Sequence, residues 1–151
     1  MLRLSKKADY ALIAMKHLAQ KRDGASSSAR EIAASYDIPT ELLAKVLQRL
    51  VRTGLLTSHQ GTRGGYMLSR PSSSISVGDV IQAIDGPLTV TACSSENSEC
   101  EQYGKCSVRD PLWKIRERIV ATLGTVSLAE MAAEGDVPPP VAVAHPAILR
   151  T

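Results

Sequence analysis

A mainly α fold is predicted: a winged helix-turn-helix with a two-stranded β wing and a long C-terminal helix. Three features carry that expectation. Helix-start signals recur along the chain, a glycine-rich tip separates two short strand-like runs within residues 55–69, and a long apolar stripe surrounds and follows Asp110. Aromatic residues are only 3% of the 151, with no Phe, so the core must be built from Leu, Ile, Val, Ala and Met, which suits helices better than a β-sandwich.

Ser5 can cap a first helix of about residues 6–21, on which Ala11, Leu12, Met15, Leu18 and Ala19 fit one buried face. Ser28-Ala29-Arg30-Glu31 is a capping box, whose hydroxyl and carboxylate satisfy exposed N–H groups at the start of a second helix of about 29–35, with Ile32 and Ala33 inward. Tyr36-Asp37-Ile38-Pro39 reads as a tight turn, because Pro39 disfavours a helical residue before it. Thr40 then caps a third helix of about 41–53, stopped by Gly54, with Leu43, Val46, Leu47 and Leu50 as its apolar stripe. Residues 55–59 and 66–69 form a hairpin around the tip.

Ser76-Val77-Gly78-Asp79 resembles a further helix start, and Gly86-Pro87 ends that helix. Asp110-Pro111 reads as an N-cap followed by a first-turn Pro, a position where the missing N–H costs nothing. This helix runs to about Leu123, before Gly124, and presents Val108, Leu112, Ile115, Ile119 and Leu123 as one stripe. The rest of the chain is too small to cover it, so Leu112, Ile115, Ile119 and Leu123 are expected at an intersubunit contact. Trp113 lies off the stripe and is expected against the N-terminal domain; Arg116, Glu117 and Arg118 read as solvated or paired across a dimer. Ser127-Leu128-Ala129-Glu130 opens a last short helix, and the tail containing Pro138, Pro139 and Pro140 reads as disordered. The expected organisation is a winged helix-turn-helix domain over 1–86, a cysteine loop over 87–107, a dimerisation helix and short terminal helix over 108–134, and the tail over 135–151.

The net charge of +3 hides an asymmetry. Residues 1–70 carry 12 Lys/Arg against 5 Asp/Glu, whereas residues 71–151 carry 6 against 10. A basic half beside an acidic one points to a polyanionic partner for the first half only. No apolar run approaches the roughly 20 residues needed to cross a bilayer. The start, Met1-Leu2-Arg3-Leu4-Ser5-Lys6-Lys7, lacks the apolar stretch of a signal peptide, so a cytoplasmic location is expected. No GxSxG, Walker, HExxH or dinucleotide-binding pattern occurs, so an enzyme is not expected.

Helix, short helix, turn, helix, hairpin is the order of a DNA-binding unit whose third helix enters the major groove by its N-terminal end. That end offers Thr40, Glu41 and Lys45, while Arg49 and Arg52 can reach phosphates and add salt-dependent affinity without sequence information. At the hairpin tip Gly61, Gly64 and Gly65 permit tight turns and close backbone approach, and Arg63 can enter a minor groove or clamp a phosphate. The plain alternative is a core helix with solvated cations beside an ordinary hairpin.

The three cysteines are spaced Cys93-x6-Cys100-x5-Cys106. An odd, clustered set points to metal or redox chemistry, not a disulfide framework. Three thiolates on one loop can converge on a soft metal centre such as an iron–sulfur cluster. A zinc site is an alternative, although structural zinc sites usually show closer CxxC pairs. A redox-switched disulfide is another. An iron–sulfur electron-transfer protein would share the cluster but need no wing.

Leu4-Ser5-Lys6-Lys7-Ala8-Asp9-Tyr10-Ala11, Glu31-Ile32-Ala33, the wing from Gly61 to Leu68 followed by Arg70-Pro71, and the run from Ser76 to Ile84 together resemble the IscR/NsrR/RirA-type iron–sulfur transcriptional regulators. The resemblance covers about residues 1–132. It implies a homodimer whose long C-terminal helices pair, so that two wings and two recognition helices read a palindromic DNA operator. It also implies that Cys93, Cys100 and Cys106 ligate a 2Fe-2S or 4Fe-4S cluster. The first gap is one residue longer than the IscR pattern. IscR-like members add a His shortly after the third cysteine, where this chain has Ser107, Val108 and Arg109. NsrR-like members use an Asp on the first helix of the other subunit, and Asp9 stands at the matching place. Its competing role is that of an exposed carboxylate paired with neighbouring lysines.

Overall fold

The computed structural model describes residues 3–22, 25–62, 64–90 and 100–133. Arg63, Cys93 and the expected tail lie outside the described residues. The elements are α1 (Lys6–Ala19), α2 (Ala29–Tyr36), α3 (Thr40–Arg52), β1 (Leu56–His59), β2 (Gly65–Leu68), α4 (Val77–Asp85), α5 (Arg109–Thr125) and α6 (Leu128–Ala133), with one 3-10 turn at Ser72–Ser74.

Serine caps set most helix starts. Ser5 Oγ accepts from Ala8 N at 3.1 Å. Ser28, Ser76 and Ser127 form reciprocal boxes with Glu31, Asp79 and Glu130. Two expected caps are corrected. Thr40 is the first residue of α3, not its cap: Pro39 holds the cap position, with φ −56° and a carbonyl that accepts from Leu43 N at 3.0 Å. The ring's restricted φ delivers the chain directly into the helix. Likewise, Asp110 lies inside the first turn of α5, which begins at Arg109 after Val108. Its carboxylate accepts from Arg109 Nε at 2.8 Å and suits the positive end of the helix dipole.

The helix also continues through Gly124 to Thr125 instead of ending before the glycine. There it packs closely on α4: a Cβ placed on Gly78 would lie 3.3 Å from Gly124 N. At the end of α3 the chain turns with Gly54 at φ +84°, and Leu55 N donates back to Leu50 O at 3.0 Å.

The central helix is α1. Its buried face of Ala8, Ala11, Ala14, Met15 and Leu18 receives α3, α4 and α6, and the alanines let those helices come close. Leu43, Leu47 and Leu50 of α3, Ile32 of α2 and Val80 of α4 complete the core. Each such buried Leu or Ile contributes about 1.5–3 kcal/mol. Leu128 of α6 is buried in the same core, so the chain returns to the N-terminal unit after α5. Two backbone bonds fix that return, Val77 N to Val126 O at 2.8 Å and Leu128 N to Ile75 O at 2.9 Å.

By contrast, α5 buries no residue, leaving Ile115 45% and Val120 43% exposed. Trp113 is half-exposed: its indole N–H donates to Glu117 at 3.1 Å and the Arg116 guanidinium lies over its ring at 4.9 Å. Arg116 and Glu117, expected to be solvated or paired across a dimer, are therefore engaged with Trp113 of their own helix.

The two strands pair antiparallel, from Leu56 opposite Leu68 to His59 opposite Gly65. Ser27 pairs with Tyr66 on β2, tying the hairpin to the start of α2. No helix among the described residues is long and apolar enough to cross a membrane.

Candidate nucleic-acid interface and cysteine segment

One face of α3 is core, and the other is open. Thr40, Glu41, Lys45, Gln48, Arg49 and Arg52 are all exposed. Helical spacing places Glu41, Lys45, Gln48 and Arg52 on one stripe, at steps of four, three and four residues. Arg49 lies about 100° round the helix from Gln48, where its Nε donates to Ala83 O of α4 at 3.1 Å. This bond orients the guanidinium.

An open cleft of about 630 Å³ separates this stripe from the hairpin. Ser28, Gln48, Arg52, His59, Gln60 and Gly64 line it. Gly65 shows why the tip is glycine-rich, since a Cβ there would sit 2.6 Å from Ser27 C and O. His17 braces the same region from α1: its Nδ1 lies 2.9 Å from the Tyr36 hydroxyl and its Nε2 3.5 Å from Ser27 Oγ. Burial, and then Lys21, lowers the His17 pKa from its ordinary value, with Glu31 opposing.

Thus the structure gathers Arg52 and Gly64 at one cleft and keeps Thr40, Glu41, Lys45 and Arg49 on the open side of the same helix. Gln48, His59 and Gln60 were not among the expected site residues. The three-residue step from Lys45 was a signal for Gln48; the two hairpin residues become visible only once β1 is folded beside α3.

The cysteine segment is described from Cys100. Cys100 is an exposed free thiol and Cys106 a half-buried one. The stretch between them turns tightly, with Tyr103 N donating to Cys100 O at 3.0 Å and Lys105 N to Gln102 O at 2.9 Å. Arg109 closes the turn onto α5, donating to Tyr103 O at 3.0 Å and lying 4.5 Å over the Tyr103 ring. The same guanidinium lowers the Asp110 pKa through its hydrogen bond and charge.

Asp9 is exposed in the first turn of α1, and among the described residues no ion pair reaches it. Among the described residues no three His, Cys, Asp or Glu side chains come together around a metal position. The donor types do suit iron: thiolates are soft ligands, and a carboxylate is a weaker one. The stripe that includes Leu112, Ile115, Ile119 and Leu123 is partly to well exposed; Leu123 also lines a cleft against α4.

A helix-turn-helix followed by a wing, with a polar stripe beside the wing, defines the class: a winged-helix protein of the transcriptional-regulator kind, the non-enzymatic class its relatives are named for. Residues 4–134 match the Rrf2 family, described as iron-dependent transcriptional regulators, and the chain belongs to that family. A candidate helix-turn-helix-type transcriptional regulator of Mycobacterium tuberculosis is 34% identical over 132 residues, 87% of this chain and 81% of that protein. IscR of Klebsiella pneumoniae is 32% identical over 131 residues, 86% and 79% of the two chains. Among solved structures, CymR, the global cysteine regulator of B. subtilis, matches with a TM-score of 0.74 at 27% identity over 90% of this chain and 100% of that one. T. potens IscR matches with a TM-score of 0.67 at 30% identity over 86% and 85%.

Proposed function

We propose that this regulator works as a homodimer that reads a palindromic DNA operator, its affinity set by an iron–sulfur cluster. The exposed stripe Glu41–Lys45–Gln48–Arg52 beside the hairpin cleft carries the DNA reading. It is polar and partly basic, its helix is locked by its other face, and a wing stands next to it. Thr40, Glu41 and Lys45 face the major groove, Arg49 and Arg52 meet phosphates, and Arg63 with Gly64 at the wing tip follows the backbone or minor groove. Leu112, Ile115, Ile119 and Leu123 pair the two α5 helices, consistent with a 17-residue helix that fully buries no residue within its own chain.

Cys93, Cys100 and Cys106 are the proposed thiolate ligands, with Asp9 of the partner subunit as the fourth. When bound, the cluster supplies a group sensitive to oxidant, nitric oxide or iron shortage. The chain's part is to hold it on a segment that leads directly into α5, so that its state can shift the spacing of the two DNA-binding units.

A cysteine switch without a cluster is the second reading. It is favoured by two free thiols, one exposed and one half-buried, with five residues between them on a tight turn, and by the likeness to CymR, which has also been solved in an oxidized form. One experiment separates the two. Protein purified without oxygen, as wild type and Cys93→Ala, is examined by visible absorption with iron and sulfide analysis. A coloured wild type with stoichiometric iron and sulfide, bleached in the variant, supports the cluster. A wild type that stays colourless after anaerobic reconstitution sinks it and leaves the thiol switch.

A further inference from the structure

The C-terminal end of α4 and the residues just after it are held from three other places in the chain: α3, the cap of α1 and α5. Ala83 O is among the carbonyls that a helix end leaves without an intrahelical donor, and Arg49 of α3 supplies one. Asp85 stands at the negative end of α4, an unfavourable place for a carboxylate. Both its oxygens are bound by Ser5, through the backbone N at 3.1 Å and through Oγ, which places the charge at the positive end of α1. Beyond the helix, Leu88 O accepts from Arg116 Nε of α5 at 2.6 Å. These bonds span 34, 80 and 28 residues of sequence, so each joins separate elements.

We propose that Arg116 is a positioning residue for DNA binding: by holding Leu88 it sets the 83–88 segment and, through Arg49, the placement of α3. The proposal rests on the reading of α3 as the recognition helix and names the route by which α5 would act on it. Because α5 fully buries no residue and half-buries only Arg109, Leu112, Arg116, Ile119 and Leu123, its hydrogen bonds add to a modest packing contact in fixing it on its own chain. A cleft of about 200 Å³ lies between α4 and α5, lined by Gln82, Leu88, Arg116 and Val120, so that the Arg116 bond to Leu88 spans its edge. The planar guanidinium both donates to Leu88 and stacks on Trp113, a pairing of roles that a lysine ammonium reproduces only in part.

The test is hydrogen–deuterium exchange on the full-length chain without DNA, for wild type, Arg116→Met and Arg116→Lys. Arg116→Met should speed exchange in residues 83–88 and in the second half of α3 by about fivefold, the scale of one net hydrogen bond. The α2 helix and hairpin should keep wild-type rates, and Arg116→Lys should fall between. In parallel, binding is measured to a duplex selected in vitro by the wild-type chain and to a random duplex. The selected duplex should bind Arg116→Met about fivefold more weakly, and the random one unchanged, because phosphate contacts persist. Acceleration confined to α5, or a loosened α3 with undiminished affinity for the selected duplex, would overturn the proposal. A wild-type chain that selects no duplex sinks the DNA reading and the positioning role with it. The exchange pattern distinguishes that case from the absence of the Arg116 linkage.

Discussion

Ser27 and Tyr66 exchange both backbone hydrogen bonds, Ser27 N to Tyr66 O at 3.0 Å and Tyr66 N to Ser27 O at 2.8 Å. This pair adds a single third-strand step to the hairpin and places it one residue before the cap of α2. The wing is thereby registered against the helix-turn-helix, and the cleft along α3 gains its width.

The Gly65→Ala substitution tests that registration. Its methyl group would meet the Ser27 carbonyl at 2.6 Å, and the obstacle is backbone, which cannot swing aside. A loss of about 1–3 kcal/mol is expected from such overpacking. It is read as a lower melting temperature, together with weaker DNA binding. Gly104→Ala meets nothing within 4 Å and serves as the neutral control.

Leu128 and Ile115 sit 13 residues apart but should behave in opposite ways. Leu128 is fully buried against the N-terminal core, so Leu128→Ala should cost about 2–5 kcal/mol in urea denaturation. Ile115 is 45% exposed, so Ile115→Glu should leave helix content intact. If α5 forms the dimer contact, the same variant should sediment as a monomer. An unchanged dimer would move the interface elsewhere.

Arg52 lines the cleft and is exposed. For Arg52→Ala the slope of log affinity against log salt should fall by about 1, the signature of one lost phosphate contact. The loss should be similar for selected and random duplexes. A change in sequence preference would instead mark Arg52 as a base reader.

The pH dependence follows from His17. Its pKa is lowered from 6.5 by burial, then by Lys21, with Glu31 opposing. The folded chain therefore binds this proton less readily than the unfolded chain. The neutral ring's contribution to stability is full above pH 6.5 and is lost as pH falls through and below that value. The wild-type melting temperature should drop more than that of His17→Gln between about pH 7.5 and about pH 5.5. Parallel curves would show that the ring carries no such linkage.

Where a helix begins was legible wherever the signal is local. Ser28 with Glu31 is a cap written within four residues, and the hydroxyl and carboxylate find their N–H partners whatever the rest of the chain does. The apolar stripe of α3 was legible for a similar reason, because a 3.6-residue period records which side faces a core. The same logic failed at Thr40 and Asp110. There the neighbouring Pro39 and the Arg109–Asp110 pair shifted the helix start by a residue or so, a difference too small for residue preference to resolve. Gly124 looked like a stop until its packing against Gly78 came into view.

The sequence by itself determined the class of protein: the order of elements, the open basic helix, the glycine-rich wing and the cysteine spacing are all local patterns that survive without coordinates. Only the tertiary structure decided that α6 returns to the N-terminal core, that Ser27 docks the wing, and that Arg49, Ser5 and Arg116 converge on the end of α4. The bonds at the end of α4 join residues from 28 to 80 positions apart, and α6 meets α1 across a still longer stretch of chain. No periodicity along the chain encodes them, because they exist only after packing has brought distant carbonyls and carboxylates within reach of a donor.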